Sequence, residues 1–367
     1  MYQLFLSLVT VSSVQAASHG YSWAYSGAHG EKTWPTNYGF CGGVYQSPLD
    51  FHENILQYDS SLRPIKLFGY DVATAESFTV SNNGHSVSVT LVPTMKIEIE
   101  PFHYTASQLH LHWGHKNNPK GSEHCIEGRR FPAEVHVVHY NSDKYTDITK
   151  ATEAADGLAV LGILIEVGSF NPSFENILSH LNSIKYKGKC LLLKAQGMYQ
   201  FLFYFIPFSS YTVFQSHSDQ SIQIAGFNVQ ELFPKRLDEY FRYEGSLTTP
   251  PCNPSVLWTV FRNPVLISEA QLFALETTLY CTDRNSSEPI QMTNNYRQLQ
   301  AHGDRLVSVS FREGVVLTVA LACGLGVLVV LVVTCVLIHR KRSRKPADNK
   351  NIAYVQAAGV EENTSKV

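Results

Sequence analysis

The chain carries almost no net charge. Its 29 lysines and arginines stand against 31 aspartates and glutamates, a formal −2 at pH 7. Basic residues are dispersed through the first three hundred positions, which argues against nucleic acid as a partner. Seven cysteines are present, yet no two are spaced Cys-x-x-Cys, so a cysteine-built zinc site is not expected. No internal repeat is apparent, which sets repeat architectures aside. The length suits one large domain with appendages.

Two hydrophobic segments are marked by missing charge. Leu4 to Val14 is apolar with a few hydroxyl side chains, and Val14-Gln15-Ala16 offers small residues before a cut. Residues 1–17 read as a secretory signal, although the usual positive start is absent. Residues 315–338 contain no charged side chain. At about 1.5 Å per residue they cover roughly 36 Å, enough to cross a bilayer core of about 30 Å. Arg340, Lys341, Arg342, Arg344 and Lys345 follow at once, and positive charge marks the cytoplasmic side.

The expected plan is therefore a single-pass type I membrane protein. Residues 18–311 form a domain outside the cell or in a lumen, with the plasma membrane as the expected destination. A linker at 312–314, the spanning helix at 315–338 and a cytoplasmic tail at 339–367 follow. Ala320-x-x-x-Gly324 and Ala322-x-x-x-Gly326 have the spacing that lets two helices approach closely, so a homodimer is one expectation. Cys41, Cys125, Cys190, Cys252 and Cys281 fall outside the membrane, where disulfides persist, but the sequence alone does not pair them. Asn285-Ser286-Ser287 fits the N-glycosylation pattern in a polar stretch on that side. Asn363-Thr364-Ser365 also fits, but on the cytoplasmic side.

Alternating runs between Ile65 and Leu111, and from Ala133 to Tyr140, read as strands. Leu158 to Val167 reads as an apolar, central strand. Phe174 to Ser183 and Ser268 to Leu279 show apolar residues at helical spacing, the second with Ser268 as a cap. Tyr21 to Phe40, aromatic and glycine-rich, reads as a surface wrap without much regular structure. The balance is a mainly β domain with short helices.

The chemistry concentrates in Gln108-Leu109-His110-Leu111-His112-Trp113-Gly114 and Glu134-Val135-His136-Val137-Val138. A period of two puts Gln108, His110 and His112 on one strand face, and Glu134, His136 and Val138 on one face of another. If the strands are neighbours, three imidazoles converge. Such a set suits zinc and leaves a fourth tetrahedral position for water. A ligating imidazole normally donates its other N–H to an oxygen acceptor. Gln108 and Glu134, each two residues before a histidine, are placed to be those acceptors. A lone His-x-His pair is weak evidence, and strand histidines often hydrogen-bond without metal; the two acceptors strengthen the metal reading.

On these residues the chain resembles an α-class carbonic anhydrase of the membrane-anchored type. The resemblance runs from about Tyr21 to about Phe311. Its matching stretches are Gln46-Ser47-Pro48, Asn82-Asn83-Gly84-His85, Gln108 to Gly114, Gly121-Ser122-Glu123-His124, Ala133 to His139, Gly157 to Gly162 and Gly245 to Pro251. It implies a large, twisted, mostly antiparallel central sheet with helices on its surface. It also implies reversible hydration of carbon dioxide to bicarbonate and a proton by zinc-bound hydroxide, serving pH and bicarbonate handling. His110, His112 and His136 match the zinc ligands, and His85 the proton shuttle. Glu123 and Thr248 match a relay in which the threonine hydroxyl donates to the carboxylate. Val138, Val160, Leu247 and Trp258, with Thr249 beside them, match the carbon dioxide pocket. Cys41 and Cys252 match a disulfide that would brace the Thr248–Thr249 loop. Ser88 stands where relatives often carry a larger polar side chain.

Two other classes compete. An inactive anhydrase-like adhesion or receptor ectodomain would be expected to lose a ligand histidine, and none is lost here. A zinc esterase would need a roomier pocket than four apolar residues around a small substrate suggest.

Overall fold

The computed structural model describes residues 22–72, 76–190, 217–218, 221–312 and 315–343. The expected signal segment, residues 313–314 of the linker, and the tail beyond residue 343 lie outside the described residues. The chain divides into two units, Met1–Phe311 and Arg312–Val367, taken separately here.

Among the described residues, the first unit is organised by a 13-stranded sheet. Its inner strands are β1 (Val87–Thr90), β2 (Phe102–Trp113), β3 (Ala133–Asn141), β4 (Leu158–Val167), β5 (Tyr240–Gly245) and β6 (Val256–Phe261). They lie in the order β1-β2-β3-β4-β6-β5, with Ser77–Asn82 and Ser221–Ala225 beyond β1 and Val307–Val309 and Leu56–Tyr58 beyond β5. Most pairs are antiparallel; β4 pairs in parallel with β6 and with Val265–Ile267. The sheet is large, mixed and mostly antiparallel, as expected.

The strand β4 is central and buried on both faces until Glu166, which explains its nearly unbroken apolar run. Its odd positions, Ala159, Leu161, Ile163 and Ile165, join the larger core with Val135, Val137, Leu109, Leu111 and Trp113. Its even positions Leu158, Val160 and Leu164 join the smaller core on the other face, with Val138, Phe241, Tyr243 and Trp258. The histidines lie on the face of this smaller core.

Simple alternation fails once in β2. The pairing runs Val138↔Gln108 and then His139↔Ala106, so Ser107 is an extra residue. Such a bulge reverses which parity faces which core. Tyr104 and Ala106 therefore share the larger core with Leu109 and Leu111.

The helices show a capped success and a correction. Ser268 and Gln271 form a reciprocal capping box at the start of α2 (Glu269–Thr278). The expected Phe174 to Ser183 helix is instead two pieces, α1 (Pro172–Leu178) and a 3₁₀ turn over Leu181–Ile184. The Ser179 hydroxyl donates back to the Glu175 carbonyl at 2.6 Å, a local bond that competes with helix propagation. The surface wrap is more ordered than expected where it is described: from Gly27 to Phe40 it is a chain of 3₁₀ turns and one α turn, Trp34–Asn37.

In the second unit, α3 (Val315–Ser343) runs beyond the expected end at residue 338 and takes in Arg340, Lys341 and Arg342. Backbone hydrogen bonding does not stop where hydrophobicity stops, and cations near a helix C-terminus interact favourably with its dipole. Leu321–Ser343 is long and apolar enough to cross a membrane, an 18-residue window within it reaching a mean hydropathy of 3.0. Its large side chains from Leu321 to Ile338 are exposed, unlike those of a core helix.

One buried histidine outside the site generates a test. His139 is fully buried, and burial lowers its pKa to about 4, opposed by hydrogen bonds. In the unfolded chain it takes a proton near pH 6.5, while the folded state refuses it. Stability is therefore present above pH 6.5 and falls progressively towards pH 4, by roughly 3 kcal/mol from this residue at 1.36 kcal/mol per pKa unit. Denaturant midpoints measured across that range should fall steeply in the wild type and more gently in His139→Gln. Parallel curves would refute the assignment.

Candidate metal centre

Strand register builds the site. His136 lies opposite His110, and Glu134 opposite His112, across the β3–β2 pair. The same row continues from His110 to Ser88 in one direction and from His136 to Gly162 in the other. Gly162 has a local reason: a Cβ there would stand 3.0 Å from Glu134 Oε1 and 3.1 Å from a Val260 methyl. The three rings gather with centroids 4.9, 5.2 and 4.5 Å apart.

Each ring has one nitrogen committed to an outer acceptor. His110 Nδ1 lies 3.0 Å from Gln108 Oε1, and His136 Nε2 lies 2.8 Å from Glu134 Oε1. His112 Nδ1 lies 2.7 Å from the Asn295 carbonyl oxygen. One nitrogen from each of the three rings falls within 4.8 Å of the others. His112 Nε2 is buried with no hydrogen-bond partner. A buried bare nitrogen is costly unless something binds it, and three bare imidazole nitrogens around one point are a donor set that fits zinc. Burial, then the neighbouring rings, hold the His110 pKa well below the usual imidazole value, and burial lowers that of His112.

Glu134 is held from four directions. Its Oε2 accepts the backbone amides of Glu123 and His124 at 2.9 and 2.8 Å, and its Oε1 faces His136 and His124. Burial pushes its pKa up, but His124 and His136 outweigh that and hold it well below the carboxylate range.

Glu123 is fully buried, its Oε1 accepting the Arg297 amide at 2.8 Å. Its Oε2 points to the centre, 3.5 Å from His112 Nε2, and has no hydrogen-bond partner. The expected bond from the Thr248 hydroxyl is thus not made in this conformation. Thr248 is nonetheless buried, in the loop after β5. That loop is tied to the N-terminal region by the disulfide Cys41–Cys252, with Cα atoms 4.9 Å apart. Cys125 and Cys281 are free thiols, and the Cys190 side chain lies outside the described residues.

Val138, Val160 and Trp258 line up across β3, β4 and β6, and Leu247 packs against the core they share. Trp258 sets its ring edge-on to His136 at 4.8 Å. Thr249 is half-buried. His85 is at a turn before β1, stacked on Trp23 with centroids 3.8 Å apart. Burial, with the charge of Lys187, lowers its pKa to about 4. Asn285 is exposed in a turn.

Sequence reasoning missed Asn295, Trp23 and Arg297. Asn295 supplies a carbonyl to His112 while its side chain holds the Trp113 amide and the carbonyls of His85 and Leu111. It lies in a segment without periodicity; its one local signal is the neighbouring Asn294, an asparagine where the backbone turns left-handed at φ 51°. Arg297, buried, donates to Gln46, to the Ser47 carbonyl and to the Cys41 carbonyl.

Comparison with known proteins agrees with this architecture. Residues 29–311 match the family model described as eukaryotic-type carbonic anhydrase. Human carbonic anhydrase 12 is 46% identical over 95% of this chain and 93% of its own length. Carbonic anhydrase 6 of the dog is 36% identical over 80% of this chain and 82% of its own. Human carbonic anhydrase 7 is 33% identical over 80% and 98%. A three-histidine cluster on a large mixed sheet, matched along the whole domain by such relatives, means that the chain belongs to the eukaryotic-type carbonic anhydrase family and is a carbonate dehydratase.

Proposed function

We propose that the protein hydrates carbon dioxide reversibly at a zinc ion held by His110, His112 and His136, on the extracellular or lumenal side of a membrane. The observation that carries the reading is the division of labour within each ring, one nitrogen bonded outward and the other bare towards a common point. Zinc supplies the Lewis acidity that makes a water nucleophilic near neutral pH, a behaviour for which carbonic anhydrases are the standard example.

The surrounding residues have separable tasks. Gln108, Glu134 and the Asn295 carbonyl orient the rings and fix their tautomers. Val138, Val160, Leu247 and Trp258 form an apolar wall suited to carbon dioxide, which offers little to hydrogen bonds, with Thr249 at its edge. Glu123 Oε2 is the acceptor left for the Thr248 hydroxyl. A threonine whose only proton is committed there must accept from whatever it meets at the centre, which selects a partner with a proton to donate.

His85 carries protons out. Stacked on Trp23 it is too acidic to take a proton near neutral pH. Transfer therefore requires the ring to swing into water, where imidazole titrates near 6.5. The exposed Asn285 carries an N-glycan, residues 1–17 act as a signal peptide, and α3 anchors the domain as a type I protein at the plasma membrane.

Three measurements test the reading. His110→Ala should lose bound zinc by metal analysis and lower carbon dioxide hydration at least about 100-fold; a variant with full metal and full rate refutes the ligand set. His85→Ala should keep zinc but lower turnover about 10- to 100-fold, as expected for losing one positioned proton-transfer group. Added imidazole should restore it, and indifference to both changes ends the shuttle role. Enzymatic removal of N-glycans should shift the mass of the cell-expressed wild type but not of Asn285→Gln. An unmodified wild type would remove the support for Asn285 facing the outside.

A further inference from the structure

On the face of the sheet away from the metal centre, a cavity of about 610 Å³ opens beside β5. Its position follows from strand parity. Phe241 and Tyr243 point into the smaller core, on the face that carries the histidines, so Arg242 between them points to the other face. There it stands in one row with Thr259 and Leu161, and Leu161 belongs to the larger core. Leu62, Pro64 and Ile99 line the cavity with Tyr240 and Arg242. The volume falls within the range of small-molecule sites, roughly 300–1,000 Å³.

Arg242 is the feature that needs a partner. Its Nε donates to Thr259 Oγ1 at 2.8 Å, and its guanidinium carbon lies 5.1 Å from the centre of the Tyr240 ring. Tyr240 is fixed in turn, its hydroxyl donating to the Arg63 carbonyl at 2.7 Å. The remaining N–H groups of Arg242 have no acceptor among the described residues, and no carboxylate there pairs with its charge. The residue is only partly exposed, and burial lowers its pKa below the usual guanidinium value. A guanidinium withdrawn from water without a counter-charge is costly. The other charges on the wall balance one another: Lys66 Nζ lies 3.1 Å from Glu98 Oε2, and the exposed Arg63 is offset by the exposed Glu100.

We propose that this cavity binds a small organic carboxylate, with the carboxylate on the terminal nitrogens of Arg242 and the apolar body against Leu62, Pro64 and Ile99. A guanidinium held through Nε and stacked on a ring has its orientation set before binding. Its two terminal nitrogens present parallel N–H groups that match both oxygens of one carboxylate. Charge balance selects the ligand further. Arg63, Lys66 and Arg242 stand against Glu98 and Glu100, so a single negative charge brings neutrality. The second charge of a dianion such as phosphate would be repelled by the two carboxylates. An inorganic anion would also leave the apolar wall uncovered.

Calorimetric titration of the full-length protein in non-ionic detergent tests the proposal. The probes are 3-phenylpropionate, acetate, inorganic phosphate and the uncharged 3-phenylpropanol. 3-Phenylpropionate should bind with a dissociation constant below about 1 mM, and at least about tenfold more tightly than the other three. Arg242→Gln should weaken its binding at least about tenfold, with the circular dichroism unchanged. Arg242→Lys keeps the charge but loses the fork, and should weaken binding by an intermediate amount. His110→Ala should bind the probe as the wild type does, since a carboxylate held at the metal would be lost with that ligand. No binding of 3-phenylpropionate up to about 10 mM overturns the proposal. Equal binding of phenylpropanol or phosphate does so too, as does loss of binding in His110→Ala or an affinity in folded Arg242→Gln within about twofold of wild type. Should Arg242→Gln not fold, equal affinities of Arg242→Lys and wild type overturn it instead.

Discussion

A buried carboxylate that accepts four hydrogen bonds is the interaction on which the rest of this domain turns. Glu134 receives two backbone amides and two imidazoles, and those donors come from two places: its own strand and the Glu123–His124 turn. A desolvated charge of this kind is stable only when its partners are rigid. The partners must be exact in placement because the carboxylate also sets the orientation of His136. Packing responds to the same demand at Gly162, the residue opposite His136, where any side chain would press on the carboxylate.

The sheet supplies the rigidity. Two cores sandwich β3 and β4, so neither strand can slip by one residue without turning its apolar side chains out of both. That constraint sets His110 beside His136 and stacks Val138, Val160 and Trp258 in the adjoining row. Reactive and apolar halves of the site are thus consecutive rows of one register. The bulge at Ser107 keeps the register compatible with a continuous larger core on the opposite face.

The loops around this frame are held by long-range polar and covalent links. The Cys41–Cys252 disulfide, the Gln46 amide and Arg297, through both its guanidinium and its backbone amide, tie the N-terminal turns, the Thr248 loop and the Glu123 carboxylate together, although these lie far apart in sequence. Loops carry function when a scaffold fixes them in this way. Thr248 and His85 are the members whose observed positions differ most from their assigned tasks, and both sit on such loops or turns.

What the sequence determined by itself was periodic or local. The two-residue alternation around His110, His112 and His136 puts each on a known strand face, and the acceptors Gln108 and Glu134 follow from the same period. The apolar run of β4, the Ser268 cap and the charge-free 315–338 segment were equally legible, because each reflects burial or hydrogen bonding within a few residues. Tertiary structure alone decided the rest. The strand order that makes His110 and His136 neighbours, the parity reversal at Ser107, the Asn295 carbonyl on His112 and the stack of Trp23 on His85 join residues distant in the chain. No local pattern encodes such pairings, because backbone carbonyls look alike in sequence and a ring stack leaves no periodicity. They follow from how two cores close around one sheet.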